Sequence, residues 1–209
     1  MHYAPPPANH ARSPEYVREI LGFSPDDFLV GSLGYMTAHK RIDALLRVVA
    51  RLRGLGYRIK VLLVGKILPD CEAPRWIEEL GLDDAVVVTG FVDVRTFREY
   101  LNVPDAFVAL RHPSAGETSA SVIKMMGAGK PVLVSDHYAF REFPGDACVK
   151  IPVDNEEEHL AERLVYLMEN RDERLALGQR SRSYILSNHD IQKSARHYIE
   201  FASEVLTGK

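Results

Sequence analysis

Six short runs rich in Val, Ile and Leu recur along this chain, and a helix-like segment separates most runs from the next. Strands that are buried on both faces form nearly continuous apolar runs, and alternating strands and helices are typical of a parallel sheet covered on both sides. We therefore predict an α/β fold with a doubly wound, Rossmann-like sheet of six parallel strands. The predicted strands are residues 28–34, 59–65, 85–90, 105–110, 131–135 and 148–151.

The segments between these runs carry apolar residues at helical spacing. In residues 41–53, for example, Ile42, Leu45, Val49 and Leu52 would share one helical face. Two or three helices within residues 156–206 are predicted to close the chain. Residues 1–12 are rich in Pro, Ala and His, which predicts a linker, or residues foreign to the domain, before a single domain at 13–209.

Composition excludes several classes of function. A net charge of −3 and a pI near 6.2 argue against nonspecific nucleic-acid binding, which needs a basic surface. No apolar run reaches the roughly 18 residues of a membrane-spanning helix, and the N-terminus lacks the apolar core of a signal peptide, so we predict a cytoplasmic protein. The histidines form no metal-binding motif, and Cys71 and Cys148 match no metal spacing, which predicts reduced cysteines and no bound metal.

The predicted architecture also predicts where a ligand would bind. In the strand order 3-2-1-4-5-6, strands 1 and 4 are neighbours, and ligands bind outside their carboxyl ends. This switch point would bring together the loops at residues 34–40 and 111–118. Both loops contain unusual residues, which favours a site between them.

The first loop contains Gly34, Tyr35 and Lys40. A glycine at a strand end lets a ligand approach the backbone, while a lysine at a helix start opposes the positive end of the helix dipole. A phosphate between them would resolve that conflict; the alternative is a solvated pair of cations at Lys40 and Arg41. No G-x-G-x-x-G follows the first strand and no P-loop motif occurs, which argues against NAD and a P-loop site.

The second loop places a carboxylate and hydroxyls where a helix begins. Unpaired N–H groups at such a helix start suit a phosphate, and the side chains suit a sugar. The alternative is that the hydroxyls are plain helix caps. Lys124 would share a helical face with Glu117 if the helix began that early, and it could then pair with a carboxylate, reach a ligand or lie in solvent. The candidate residues here are Arg111, Glu117, Thr118, Ser119, Ala120, Ser121 and Lys124.

The third candidate segment follows the third strand. Backbone groups at Gly90, Phe91 and Val92 could contact a nucleotide base, although Phe91 could instead be a core residue. Gly65 and Lys66, after the second strand, would complete the rim of the crevice.

Taken together and in order, these segments resemble the C-terminal, donor-binding domain of a GT-B-fold retaining glycosyltransferase of the glycosyltransferases group 1 family. The resemblance covers about residues 24–206. It rests on residues 34–43, 61–65, 88–92, 104–108, 117–121 and 126–136.

The resemblance implies a role for each segment. Lys40 would hold the diphosphate of a nucleotide sugar, the backbone at Phe91 and Val92 would contact the base, and Glu117 would hold the sugar. The nucleotide sugar is the substrate, and the family's retaining transfer needs no cofactor and no protein-bound metal, because basic groups and N–H dipoles stabilise the leaving diphosphate. No catalytic base is assigned.

The chain departs from the family pattern at two positions. Tyr35 stands where the family commonly has an arginine, and Lys124 stands where a second glutamate binds the ribose. The first glutamate of that pair falls on Gly116, one residue before Glu117. Two alternatives therefore accompany the enzyme hypothesis: a non-catalytic nucleotide-sugar-binding module with an altered site, and an unrelated doubly wound protein such as half of a sugar-nucleotide epimerase.

The resemblance also implies that a domain is missing. Family members place another Rossmann-like domain, which binds the acceptor, before this one. We therefore expect this chain to be an excised donor half that does not transfer sugar alone. The acceptor would be a sugar or a lipid-linked sugar, and the full-length enzyme could associate peripherally with a membrane.

Overall fold

The structure is a computed structural model that describes residues 12–113 and 116–207. Residues 1–11, which form most of the predicted linker, lie outside the described part. The helices are α1 (Pro14–Ile20), α2 (Ile42–Gly54), α3 (Ala73–Glu79), α4 (Val94–Tyr100), α5 (Ala120–Gly127), α6 (Glu156–Glu169), α7 (Arg171–Asn188) and α8 (Ile191–Thr207). The strands are β1 (Phe28–Leu33), β2 (Ile59–Val64), β3 (Val86–Val88), β4 (Ala106–Ala109), β5 (Val132–Ser135) and β6 (Val149–Ile151).

All six strands belong to one sheet with the order β3-β2-β1-β4-β5-β6, and every pairing is parallel. The predicted doubly wound fold is confirmed, and β1 and β4 are neighbours as the prediction requires. The observed strands end one or two residues before the glycines at positions 34, 65 and 90, which take positive φ angles and turn the chain out of the sheet.

Two apolar clusters cover the two faces of the sheet. One contains Val30 and Val61 with the buried faces of α2 and α6. The other contains Leu29 and Leu62 with α5 and part of α7. Every residue of β1 is buried, as expected for a central strand covered on both sides. At Gly31 a side chain would meet the Phe107 ring at 2.4 Å, so this glycine lets β1 and β4 pack closely below the switch point.

The two ends of the described chain differ in how they are held. Arg12 forms an ion pair with Glu99 of α4, whose side chain is 2% exposed. The Nη2 and Nε of Arg12 both donate to the Oε2 of Glu99, at 2.6 and 2.9 Å. In contrast, α8 has no buried residue, although its apolar residues lie on one face. Of the helices in the described ranges, none is long and apolar enough to cross a membrane.

Candidate functional site

The carboxyl ends of β1 and β4 meet at one edge of the sheet, and the two loops that follow them are in direct contact. The N–H of His112 donates to the carbonyl of His39, with 2.8 Å between the atoms. A small pocket lies between the loops and the start of α5. It is lined by Ser32, Leu33, Lys40, Ala109, Leu110, Arg111, Ser119, Ser121 and Phe140.

Gly34 lies at the centre of this edge. Its φ is +94°, a conformation that favours glycine. A β-carbon at this position would lie 2.9 Å from the Nζ of Lys40 and 3.1 Å from the Oγ of Ser121. An ammonium and a hydroxyl from different elements therefore converge over an open stretch of backbone, and any side chain at position 34 would fill that space.

Lys40 is the last residue of a short 3-10 helix, Ala38–Lys40, and its Nζ donates to the carbonyl of Leu33 at 2.6 Å. The prediction placed Lys40 at the start of the following α-helix. However, α2 begins at Ile42, because Arg41 has a φ of +53° and this left-handed conformation interrupts the right-handed helix. Burial, and then the charge of Arg111, lower the pKa of Lys40 to about 8. Among the residues that the structure describes, no carboxylate forms an ion pair with it.

Arg41 has the opposite surroundings. Its guanidinium pairs with Glu156 at 2.9 Å and with Asp43 at 3.2 Å. The alternative of a solvated pair of cations is therefore wrong for both residues, because Lys40 is half-buried and Arg41 is ion-paired.

Arg111 supplies a second cation beside Lys40. Its side chain is 13% exposed, its guanidinium forms an ion pair with Glu117, and it lies over the ring of Phe140 at 5.9 Å. Its backbone N–H donates to the Oγ of Ser135 at 2.9 Å. Burial lowers the pKa of Arg111, but a guanidinium stays charged at any physiological pH.

The start of α5 faces these cations. Ser119 is the N-cap, and its Oγ accepts from the N–H of Val122 at 3.4 Å, so the capping interpretation holds for this residue. Ala120, the first helical residue, and Ser121 are half-buried, whereas Glu117 and Thr118 are exposed in the preceding loop.

Lys124 lies apart from Glu117. Because α5 begins at Ala120, Glu117 precedes the helix and the two residues do not share a helical face as the sequence suggested. The Lys124 side chain is on an exposed position and its Nζ lies 5.1 Å from the centre of the Phe97 ring of α4.

The segment after β3 is also at this edge. Gly90, with φ +67°, bridges to Gly65, and a β-carbon at Gly65 would lie 2.1 Å from the carbonyl oxygen of Gly34. Phe91 is 78% exposed, so its interpretation as a core residue is wrong. Val92 is half-buried and packs against the apolar cluster of α5.

The remaining rim residues are exposed to solvent. Tyr35 is 56% exposed. The side chain of Lys66 is exposed too, while its carbonyl accepts from the N–H of Met36 at 2.9 Å.

Sequence reasoning missed several residues at this edge of the sheet, among them Ser32, Ser135 and Phe140. The two serines are 3% and 0% exposed, at positions in otherwise apolar strands. A hydroxyl near the carboxyl end of a buried strand was the available signal, because a buried hydroxyl needs a partner. No such signal in the sequence indicated that Phe140 lies under Arg111, because its position depends on the short 3-10 helix Tyr138–Glu142 after β5.

Comparison with solved structures agrees with the fold. Alr3699/HepE of Anabaena, in complex with UDP and glucose, matches with a TM-score of 0.80 and 18% identity, over 91% of this chain and 51% of its own. The C-terminal domain of LpcC, a glycosyl transferase group 1 family protein from Francisella tularensis, matches with a TM-score of 0.70 and 17% identity. That match covers 88% of this chain and 95% of the LpcC domain.

A comparison of sequences finds a relative with higher identity than these structures, but over a shorter stretch of the chain. D-inositol 3-phosphate glycosyltransferase of Stackebrandtia nassauensis is 32% identical over 128 residues, which cover 56% of this chain and 28% of that protein. The chain thus spans about a quarter of that relative and about half of HepE. The family model described as glycosyl transferases group 1 matches residues 15–184, most of the chain. This protein therefore belongs to the glycosyl transferases group 1 family.

Proposed function

We propose that this chain is the donor-binding half of a retaining glycosyltransferase that moves a sugar from a nucleotide sugar to a glycan or lipid-linked acceptor. The observation that carries the proposal is the convergence of the Lys40 ammonium and the Ser121 hydroxyl over Gly34. A half-buried ammonium without a carboxylate in the described structure is costly unless an anion binds there. A diphosphate has the charge and the acceptor oxygens to satisfy it.

Each segment then binds one part of the nucleotide sugar. Lys40, Ser121 and the N–H groups at the start of α5 bind the diphosphate. Glu117 and Thr118 bind sugar hydroxyls, and the backbone of residues 90–92 binds the base, with exposed Phe91 available to stack. In the reaction the diphosphate leaves with extra negative charge, and preorganised cations and N–H dipoles stabilise that charge. The chain needs no cofactor and no metal of its own for this role.

Residues 13–209 act as one donor-binding domain in this proposal, and the acceptor-binding domain lies on another part of the full-length protein. The chain binds donor but does not transfer sugar alone. The full-length enzyme works in the cytoplasm, and a lipid-linked acceptor would bring it to a membrane surface.

A second candidate function is a nucleotide-sugar-binding module without turnover. Two observations favour it: Tyr35 brings no cation to the phosphate site, and Lys124 lies over Phe97 without offering a carboxylate to the ribose. Full-length protein that binds a nucleotide sugar but transfers it to no acceptor would support this candidate.

Thermal unfolding tests donor binding. UDP, GDP and ADP and their sugars should be compared at millimolar concentration, where a ligand at 100 times its Kd adds about 2.7 kcal/mol of stability. For a domain of this size we expect a rise in Tm of about 5–10 °C. The same ligands should stabilise Lys40→Ala by no more than about half as much, but should stabilise Lys193→Ala, a control on exposed α8, as much as the wild type. Absence of stabilisation of the wild-type chain by every nucleotide would contradict both candidates.

A further inference from the structure

The ion pair between Arg111 and Glu117 connects two parts of the site. The proposed function assigns one part to the diphosphate of the donor and the other to its sugar. Arg111 and Lys40 line the same small pocket, and the charge of Arg111 lowers the pKa of that lysine. Glu117 lies in the loop before α5. In the structure, the carboxylate that would hold the sugar forms an ion pair with a cation that would face the phosphate.

The two partners differ in how far they can move. The side chain of Arg111 is 13% exposed and is held over Phe140, whereas that of Glu117 is 49% exposed. Glu117 also precedes the first helical residue, Ala120, so its loop can shift without unwinding α5. If the pair separates, Glu117 moves and Arg111 stays in place.

A diphosphate competes directly for Arg111. A guanidinium offers a planar fork of donors that fits a carboxylate or a phosphate equally well. A diphosphate brings more negative charge than one carboxylate. The ammonium of Lys40, which pairs with no carboxylate among the described residues, lines the same pocket as Arg111. A diphosphate would therefore displace the Glu117 carboxylate from the guanidinium.

We propose that Arg111 couples recognition of the diphosphate to recognition of the sugar: it pairs with Glu117 and releases that carboxylate when a diphosphate binds. This inference rests on the proposed function for the sugar part. It predicts that the site recognises a sugar only as part of a nucleotide sugar, because a free sugar cannot displace Glu117 from Arg111. Binding of the diphosphate alone should be weakened by Glu117, since the carboxylate competes for the same cation.

Titration calorimetry with inorganic pyrophosphate, UDP and UDP-glucose tests the coupling. In Glu117→Gln the competitor is gone, so pyrophosphate and UDP should bind about two- to fivefold more tightly, the range expected for an exposed ion pair. The gain in affinity from UDP to UDP-glucose should shrink in the same variant. In Arg111→Gln all three should bind at least about tenfold more weakly.

Two controls separate exchange at Arg111 from a general change in charge. Asp70→Asn removes a carboxylate beside the Lys40 loop, where Asp70 accepts from the N–H of Ala38, and it should change pyrophosphate affinity less than Glu117→Gln does. In the Arg111→Gln background, Glu117→Gln should no longer tighten binding. An equal effect of Asp70→Asn, or a tightening that persists without Arg111, would overturn the coupling.

The outcomes also distinguish this inference from the proposed function. If UDP binds the wild-type chain but Glu117→Gln binds it no more tightly, the coupling is wrong and donor binding stands. If pyrophosphate shows the expected change while no nucleotide binds, the exchange stands and the proposed donor role fails. If neither pyrophosphate nor any nucleotide binds, both are overturned.

Discussion

Lys40 and Arg41 are neighbours in the chain, but they belong to two groups of charged residues that differ in how completely their charges are paired. The first, the switch-point cluster, is Lys40, Arg111 and Glu117. The second, the α2–α6 network, pairs each of its arginines with a carboxylate at 2.7–2.9 Å. Its members are Arg41, Asp43, Arg47, Arg51, Glu156, Glu157 and Glu158.

The difference follows from the backbone conformation of a single residue, Arg41. Arg41 has a φ of +53°, and its guanidinium contacts Glu156 at the start of α6. Lys40 instead reaches the carbonyl of Leu33 at the edge of the sheet. Paired charges join two helices and need nothing further, whereas the half-buried ammonium of Lys40 lacks an anion within the described residues. A cation left in that state indicates a ligand site.

The largest expected effect is on UDP affinity, which should fall when the switch-point cluster is changed but not when the α2–α6 network is changed. Lys40→Ala removes a charged donor to the diphosphate, and such hydrogen bonds contribute about 1.5–3 kcal/mol, so we expect UDP to bind roughly 10- to 100-fold more weakly. The matched change Arg51→Ala in the α2–α6 network should leave the affinity within about twofold. Calorimetric titration measures both, and equal losses in the two variants would erase the contrast.

The second effect concerns stability. The Glu156 side chain is 6% exposed, so Glu156→Gln leaves Arg41 without its principal partner and should lower the free energy of unfolding by about 1–2 kcal/mol. Glu157→Gln, at a side chain that is 39% exposed, should cost less than about 1 kcal/mol. Urea denaturation checks this order, and nucleotide binding by folded Glu156→Gln protein should be unchanged.

A third change tests the open backbone of the switch-point cluster. Gly34→Ala places a methyl group 2.9 Å from the Lys40 Nζ at a positive φ, so we expect a loss of about 1 kcal/mol of stability and about tenfold in UDP affinity. Gly54→Ala is the control, because Gly54 ends α2 with open space around it. That variant should keep full affinity and be slightly more stable. Full affinity in Gly34→Ala would contradict the placement of the phosphate.

The smallest effect is a pH dependence of opposite sign in the free and bound protein. With a pKa of about 8, Lys40 loses its proton in the native state at lower pH than in the unfolded chain. Its contribution to stability therefore rises with pH above about 8, because the unfolded state then binds more protons. Donor affinity should fall about fourfold between pH 7 and 8.5, since only the ammonium binds phosphate. Subtracting the profiles of Lys40→Met isolates both trends from the titration of other groups.

The fold could be predicted because each strand is a short, contiguous apolar run that can be recognised in the sequence without knowledge of distant contacts. Residues 61–64, for example, are apolar and all buried, and the strand order then places β1 beside β4. The 3-10 helix at Ala38–Lys40 was not predicted, because a positive φ at Arg41 has no signature in residue propensities. That turn decides which cation reaches the crevice.

The parts of the site that depend on contacts between distant loops were harder to predict. Glu117 contacts Arg111, whereas Lys124 lies against Phe97 of α4. Their relation depended on where α5 begins, which was predicted only to within a few residues. The pairing of Glu117 with Arg111 and the packing of Arg111 over Phe140 involve three separate segments. Spacing along the chain does not encode such contacts.

Proton uptake on donor binding tests the central claim most directly. At pH 8 about half of the Lys40 side chains are neutral, and binding of a diphosphate should protonate them. Calorimetry of UDP-glucose binding in buffers of different ionisation enthalpy should therefore show uptake of about half a proton per chain, absent in whatever binding remains in Lys40→Met. Binding of UDP-glucose without proton uptake, or with the same uptake in Lys40→Met, would contradict Lys40 as the diphosphate-binding cation.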